Sequence, residues 1–276
     1  MNLTLGFSTC PNDTFIFDAM VNGRIDTEGL RFKLHLADVE ELNRLAFAAE
    51  IDISKVSYHA FAYLSDAYQL LTSGSALGFG NGPLLISKHK IYPDEIKELK
   101  IAIPGKYTTA NLLLSLAYPQ LTQKQEYLFS DIEVVILSGE MDAGVIIHEN
   151  RFTYRSKGLR KIVDLGELWE QQYGLPIPLG GIIVKRKLPE DIRHKVNRVL
   201  RRSVEYALQN PNDSLPFVRQ HAQSMDESVM QSHIRLYVND FSVDLGVKGR
   251  EAIDTLYAKG AEKLLFPPLK PSWLIS

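Results

Sequence analysis

The chain has 276 residues, 45% of them hydrophobic, enough to fill one large α/β domain or two smaller lobes. Lys and Arg number 31 against 33 Asp and Glu, and the formal net charge of -2 excludes a global field that would gather nucleic acid or an anionic membrane. Cys10 is the only cysteine, so neither an intrachain disulfide nor a cysteine-based metal site can form.

The chain opens with neither a basic segment nor a long apolar run, and no stretch approaches the roughly 20 apolar residues that span a bilayer. A cytoplasmic location is therefore expected. Leu3 to Phe7 alternates as a first strand and runs into the loop residues Ser8 to Asp13. Asn12 or Asp13 is placed to cap the helix that follows through Phe15, Ile16, Ala19 and Met20. A second strand covers Arg31 to Leu36. Asp38 and Glu41 then start a helix carrying Leu42, Leu45, Ala46 and Ala49 on one face, and a strand follows toward Tyr58 and His59.

The same order returns further on. Lys100 to Ile103 reads as a strand, Pro104 to Thr109 as a loop, Ala110 to Ala117 as a helix and Glu126 to Phe129 as a strand. Ser130 with Glu133 forms a capping box for a short helix, Gly139 ends it, and the uncharged run Ala143 to Ile147 is a buried strand leading to His148. Glu50, Asp52, Val56 and Tyr58 align with Glu140, Asp142, Ile146 and His148. The chain thus holds a pseudo-repeat of two βαβαβ units, each with its own small parallel sheet, facing each other across a cleft.

Phe79 to Ser87 reads as a crossing between the lobes and Leu175 to Lys185 as the return, which inserts the second lobe into the first. The expected boundaries are 1–88 plus 182–276 for lobe one and 89–181 for lobe two. From Pro189 the pattern is helical, with breaks at Asn210 to Asp213 and Ser242 to Gly249, and these helices are expected to cover lobe one. The predicted class is α/β, two-lobed, with a helical C-terminal part.

Ligands of open α/β sheets sit at the carboxyl ends of strands, which singles out His148 as the best-placed titratable group. An imidazole with an ordinary pKa near 6.5 can serve as a general base at neutral pH. Asp142 and Glu149 are candidates to orient it, whereas His59 falls one position past the equivalent point. The junctions at Ser8 to Asp13 and Gly105 to Thr109 put two helix N-termini at the cleft, where backbone N–H groups with the hydroxyls of Thr108 and Thr109 suit a ligand carboxylate. Lys55 and Ser57 can add polar contacts. The same hydroxyls can instead only cap helices, and the sequence leaves both uses open. Metalloprotease, P-loop, nucleophile-elbow and dinucleotide motifs are absent.

Several segments together resemble one enzyme family. They are Ser8 to Phe15, Lys55-Val56-Ser57, Gly78 to Pro83 with Asn81, Ile103-Pro104-Gly105 with Thr108-Thr109-Ala110, Ser138 to Glu140 with Asp142 to Glu149, and Leu175 to Gly181. The chain is similar over nearly its whole length to the 1,4-dihydroxy-6-naphthoate synthases of the futalosine route to menaquinone. Thr9 stands where that family's first motif carries proline. The resemblance implies a fold like type II periplasmic binding proteins. It also implies a cofactor-free lyase reaction that cleaves cyclic dehypoxanthinyl futalosine to 1,4-dihydroxy-6-naphthoate and dihydroxyacetone. It further implies His148 as proton acceptor and substrate contacts from Lys55, Val56, Ser57, Thr109 and Ala110. Ser8, Asn12, Asn81 and Thr108 complete the expected binding set. The expected partner is a small molecule bearing a carboxylate, with no nucleic acid or membrane. Two rival readings share the fold, a chorismate dehydratase of the same pathway and a non-catalytic carboxylate-binding protein.

Overall fold

A computed structural model describes residues 1–147, 150–222 and 226–275. In the first part of the chain, β1 (Asn2–Phe7), α1 (Pro11–Val21), β2 (Arg31–Leu36), α2 (Val39–Phe47), β3 (Ile53–Ser57) and α3 (Tyr58–Leu64) follow one another. Then come the short strands β4 (Tyr68–Leu70), β5 (Ala76–Gly78) and β6 (Leu84–Ser87), and after a 3-10 turn β7 (Ile101–Ile103) and α4 (Thr109–Ala117). The second βαβαβ unit closes with β8 (Lys124–Glu126), α5 (Ile132–Ser138) and β9 (Ala143–Ile146). Next are α6 (Asn150–Thr153), β10 (Arg160–Asp164), α7 (Leu165–Tyr173) and β11 (Ile177–Lys185). The tail holds α8 (Glu190–Gln209), α9 (Pro211–His221), α10 (Glu227–Tyr237), α11 (Asp240–Val243) and α12 (Gly246–Glu262).

Among the described residues the strands form two sheets, ordered β2-β1-β3-β11-β4 with β5 beside β11, and β10-β6-β9-β7-β8. The two orders match. In each, the unit's first strand lies parallel between its second and third, and an antiparallel strand from across the crossing then pairs with the third: β11 on β3, β6 on β9. The sheets are therefore mixed rather than purely parallel. The crossings also set boundaries different from those expected at 88 and 182. Leu84–Ser87 pairs with β9 and β10 in the second sheet, and Ile177 to Gly181 pairs with β5 and β3 in the first.

Local sequence explains most elements. Asp38 accepts from the amides of Glu40 and Glu41, which starts α2, and Asp164 does the same for α7 through Gly166 and Glu167. Helix α1 is buried from Pro11 to Met20, because the first sheet packs on one side and α8, α9 and α10 on the other. Two expectations fail. The strand expected at Glu126 to Phe129 lies instead at Lys124–Glu126, and Ser130 with Glu133 does not form a capping box: α5 starts after Asp131 without a side-chain cap. The Glu133 side chain is instead buried and paired with Lys157 at 2.5 Å.

One apolar cluster fills the space between β1, α1 and α8, a second lies between β6, β7, α5 and β9, and the largest joins α3, α4, α7, β11 and α12 across both sheets. The crossing at 79–83 is pinned by backbone contact. A Cβ on Gly82 would lie 2.3 Å from the Cα of Gly166, while the amide of Leu165 donates to the Pro83 carbonyl at 3.0 Å. No side chain fits there. Gly82→Ala is expected to cost about 1–3 kcal/mol, read as a lower midpoint in denaturant unfolding, whereas alanine at the open position Gly80's neighbour Phe79 leaves that backbone contact intact.

Candidate active site

The carboxyl ends of both parallel strand sets, together with the N-termini of α1 and α4, enclose a cavity with about 670 Å³ of atom-free space, open in part to solvent. Its lining brings together every residue of the expected binding set: Ser8, Asn12, Lys55, Val56, Ser57, Asn81, Thr108, Thr109 and Ala110. Ile147, the residue before His148, also lines it. His148 and Glu149 lie outside the described residues. Asp142 sits at the opposite end of β9 from Ile147, where its Oδ2 accepts from the Lys100 amide at 2.8 Å.

The floor is built on one buried ion pair. Lys55 on β3 approaches Asp13 Oδ1 to 3.2 Å and lies 3.5 Å from the Gly74 carbonyl. Both side chains are almost wholly buried. Asp13 was expected as a helix cap, but α1 begins at Pro11, with Asp13 inside its first turn. Its carboxylate accepts from the Ser8 amide at 3.2 Å, the Ser8 hydroxyl at 2.7 Å and Asn12 Nδ2 at 2.8 Å. Two charges taken out of water are tolerated only when such bonds complete their shells. Across the sheet Gly180 opposes Ser57, and a Cβ on Gly180 would lie 2.8 Å from the Val56 carbonyl and 3.2 Å from Lys55 Cε. The glycine lets the lysine stem pass.

Ser57 is held from below by a chain that sequence reading missed. Its amide donates to Asn43 Oδ1 at 3.1 Å, Asn43 Nδ2 donates to Glu40 Oε2 at 2.9 Å, and the Tyr107 amide donates to Glu40 Oε1 at 3.3 Å. Glu40 thus joins α2 to the loop before α4. Burial raises its carboxyl above the ordinary value, opposed by these two hydrogen bonds. The only bond to Ser57 Oγ among the described residues is a long one of 3.5 Å from Asn43, and its hydroxyl proton meets no acceptor there.

On the opposite wall the threonine hydroxyls serve the fold. Thr108 Oγ1 donates to the Gly105 carbonyl at 2.8 Å and accepts from the Asn111 amide, and Thr109 Oγ1 donates to the Leu179 carbonyl at 2.6 Å. The anion-binding capacity expected from these hydroxyls therefore rests on the amides of Thr109 and Ala110, which meet no partner among the described residues. Tyr237, at the end of α10, adds an aromatic wall that no local pattern signalled.

His59 faces away from the cavity. Its Nδ1 contacts the Thr108 carbonyl at 3.2 Å, and its ring packs against Tyr63, Tyr107 and Phe266. Burial lowers its pKa to about 4, with Lys124 and Lys106 acting in the same direction and the Thr108 carbonyl against them. Between the unfolded value near 6.5 and about 4, the unfolded chain holds the extra proton. His59 is thus neutral and harmless to the fold above pH 6.5, and stability falls as pH drops through that window. The loss amounts to about 3 kcal/mol. In denaturant unfolding from pH 7 to pH 4, wild type is expected to lose about that much more stability than His59→Asn; parallel curves would refute the assignment.

The comparisons with known proteins agree with this architecture. A family model described as menaquinone biosynthesis matches residues 3–262. A 1,4-dihydroxy-6-naphthoate synthase of Thermus thermophilus is 43% identical over 266 residues, covering 96% of each chain. The enzyme of the same name from Streptomyces coelicolor is 39% identical over 277 residues, covering 99% of this chain and 97% of the relative. A solved protein of Archaeoglobus fulgidus is similar with a TM-score of 0.91 at 34% identity, over 96% of this chain and 98% of the other. The alkanesulfonate-binding protein of Xanthomonas axonopodis, bound to MOPS, reaches a TM-score of 0.75 at 12% identity, covering 99% and 97%, and shares the fold alone. The fold is thus that of periplasmic binding proteins, and no helix of the described residues is long and apolar enough to cross a membrane.

Proposed function

The chain belongs to the menaquinone biosynthesis family, and from that membership we propose that it is a 1,4-dihydroxy-6-naphthoate synthase, a carbon–carbon lyase acting on cyclic dehypoxanthinyl futalosine. The observation that carries the reading is the meeting of motifs from both lobes, residues 8–13, 55–57, 81 and 108–110, around one cavity. The products are 1,4-dihydroxy-6-naphthoate and dihydroxyacetone. The free amides at the start of α4 support binding of the substrate carboxylate, and the Ser57 hydroxyl supplies a donor from the facing wall.

In this reading His148 takes a proton from the substrate and starts a retro-aldol-like cleavage. The electron pair of the breaking carbon–carbon bond passes to a conjugated carbonyl, and aromatisation of the new ring drives the step. The cleavage is redox-neutral and calls for no electron acceptor. His148 follows Ile147, a cavity residue just beyond β9, and an imidazole near its ordinary pKa is matched to proton abstraction at neutral pH. Closure of the lobes would exclude water and fix the substrate between the two walls.

The test is incubation of purified protein with cyclic dehypoxanthinyl futalosine in chelator-treated buffer, following the aromatic product by absorbance and mass. Dihydroxynaphthoate is expected, and His148→Asn is expected to fold and bind substrate while turning over about 10²–10⁴-fold more slowly. Substrate bound but unchanged by wild type would reduce the protein to a binding function.

A further inference from the structure

Asn81 lies in the segment 79–83 that crosses from the first sheet to the second, and only 1% of it is exposed. Neither Nδ2 nor Oδ1 has a hydrogen-bond partner among the described residues. Its surroundings offer no easy remedy. Gly78 stands behind it, close enough that an added Cβ would lie 3.0 Å from Asn81 Nδ2, and the Asn239 carboxamide on the same side is committed to the Leu77 carbonyl at 2.9 Å. Buried carboxamides are almost always satisfied, and this one lines the cavity together with Ser57 and Thr109. An unsatisfied donor and acceptor in that position are complements awaiting a ligand.

The chemistry of the ligand group follows from the carboxamide. Nδ2 only donates and Oδ1 only accepts. A carboxylate presents acceptors alone, so at Asn81 it would satisfy Nδ2 and turn its lone pairs toward Oδ1. The amides of Thr109 and Ala110 present donors alone and are the better carboxylate site. What Asn81 lacks is a group that gives a proton and takes one, as a hydroxyl does, or a hydroxyl beside a carbonyl.

We infer that Asn81 binds the hydroxyl-bearing end of the substrate, the three-carbon fragment that departs, while the carboxylate lies at the start of α4. This rests on the synthase reading, whose substrate carries both groups. The two ends would then be held by different lobes' connections, so that Asn81 discriminates the intact substrate from a bare aromatic acid. It is a specificity-determining contact, separate from the proton acceptor.

The experiment compares wild type with Asn81→Ala and the bulkier Asn81→Leu in three measurements: kcat/KM for cyclic dehypoxanthinyl futalosine, Kd for 2-naphthoate, and Tm without ligand. 2-Naphthoate has the aromatic carboxylate and no hydroxyl. Both variants are expected to lose roughly 10–100-fold in kcat/KM, to bind 2-naphthoate within about twofold of wild type, and to keep or raise Tm, because an unsatisfied buried amide is gone. Unchanged kcat/KM overturns the inference, and so does an equal loss of 2-naphthoate binding, which would move Asn81 to the carboxylate. A lowered Tm in both variants with parallel loss of all binding makes Asn81 structural and overturns it too. Failure of wild type to bind 2-naphthoate removes the carboxylate placement and the orientation with it. Failure of wild type to turn over at all sinks the synthase reading, an outcome distinct from any seen only in the variants.

Discussion

The buried pair between Asp13 and Lys55 is the interaction on which the cavity depends. Each charge alone would cost several kcal/mol in that setting, and together they are held only because Ser8, Asn12 and the Gly74 carbonyl complete their shells. One contact therefore fixes the start of α1 against β3, and with it Ser8, Asn12 and Ser57 as a single floor. Gly180 follows from the same need, since the strand that closes the sheet over Lys55 must carry no side chain where the lysine passes, whereas a Cβ on Gly181 would lie 2.6 Å from Leu70 Cδ1.

The second wall is tied to the first by polar bonds as well as by the apolar cluster that joins both sheets. Glu40 reaches the Tyr107 amide, His59 reaches the Thr108 carbonyl, and Thr109 reaches Leu179, the latter on the return strand. These bonds use up the threonine hydroxyls and leave the α4 amides to the cavity. Burial raises the pKa of the Glu40 carboxyl and lowers that of His59, which keeps the imidazole neutral at neutral pH.

Local signals in the sequence were read well where the cause is local. Asp38 caps α2 through its own neighbours, Arg31–Leu36 pairs in register with β1, and Gly139 closes α5. Where a distant residue competes, the local reading fails. Glu133 belongs to Lys157 rather than to Ser130, and Asp13 belongs to Lys55 on another strand. Three-residue strands such as β4, β5 and β8 are too short to show a period, and the antiparallel partners that finish both sheets come from across the crossings. That these residues would meet at one cavity was legible for most of them because they lie in two equivalent loops and a strand end, while Asn81 comes from the crossing segment. Asn43, Glu40 and Tyr237 were not, since nothing in their neighbourhoods distinguishes a support or a cavity wall from an ordinary helix position. The placement of His148 came from the repeat and stands beyond the described residues.

The crossing topology also orders the birth of the molecule. Strand β3 leaves the ribosome early, but its antiparallel partner β11 follows more than a hundred residues later, after every strand of the second sheet has emerged. During synthesis the inserted lobe can therefore complete its sheet while the first lobe still presents an open hydrogen-bonding edge along β3. Slow passage through residues 150–185 prolongs the time that edge stays bare, and a bare strand edge is a template for pairing between chains. The arrangement that lets two walls meet over one cavity thus makes the nascent chain most vulnerable to self-association just before its return strand arrives.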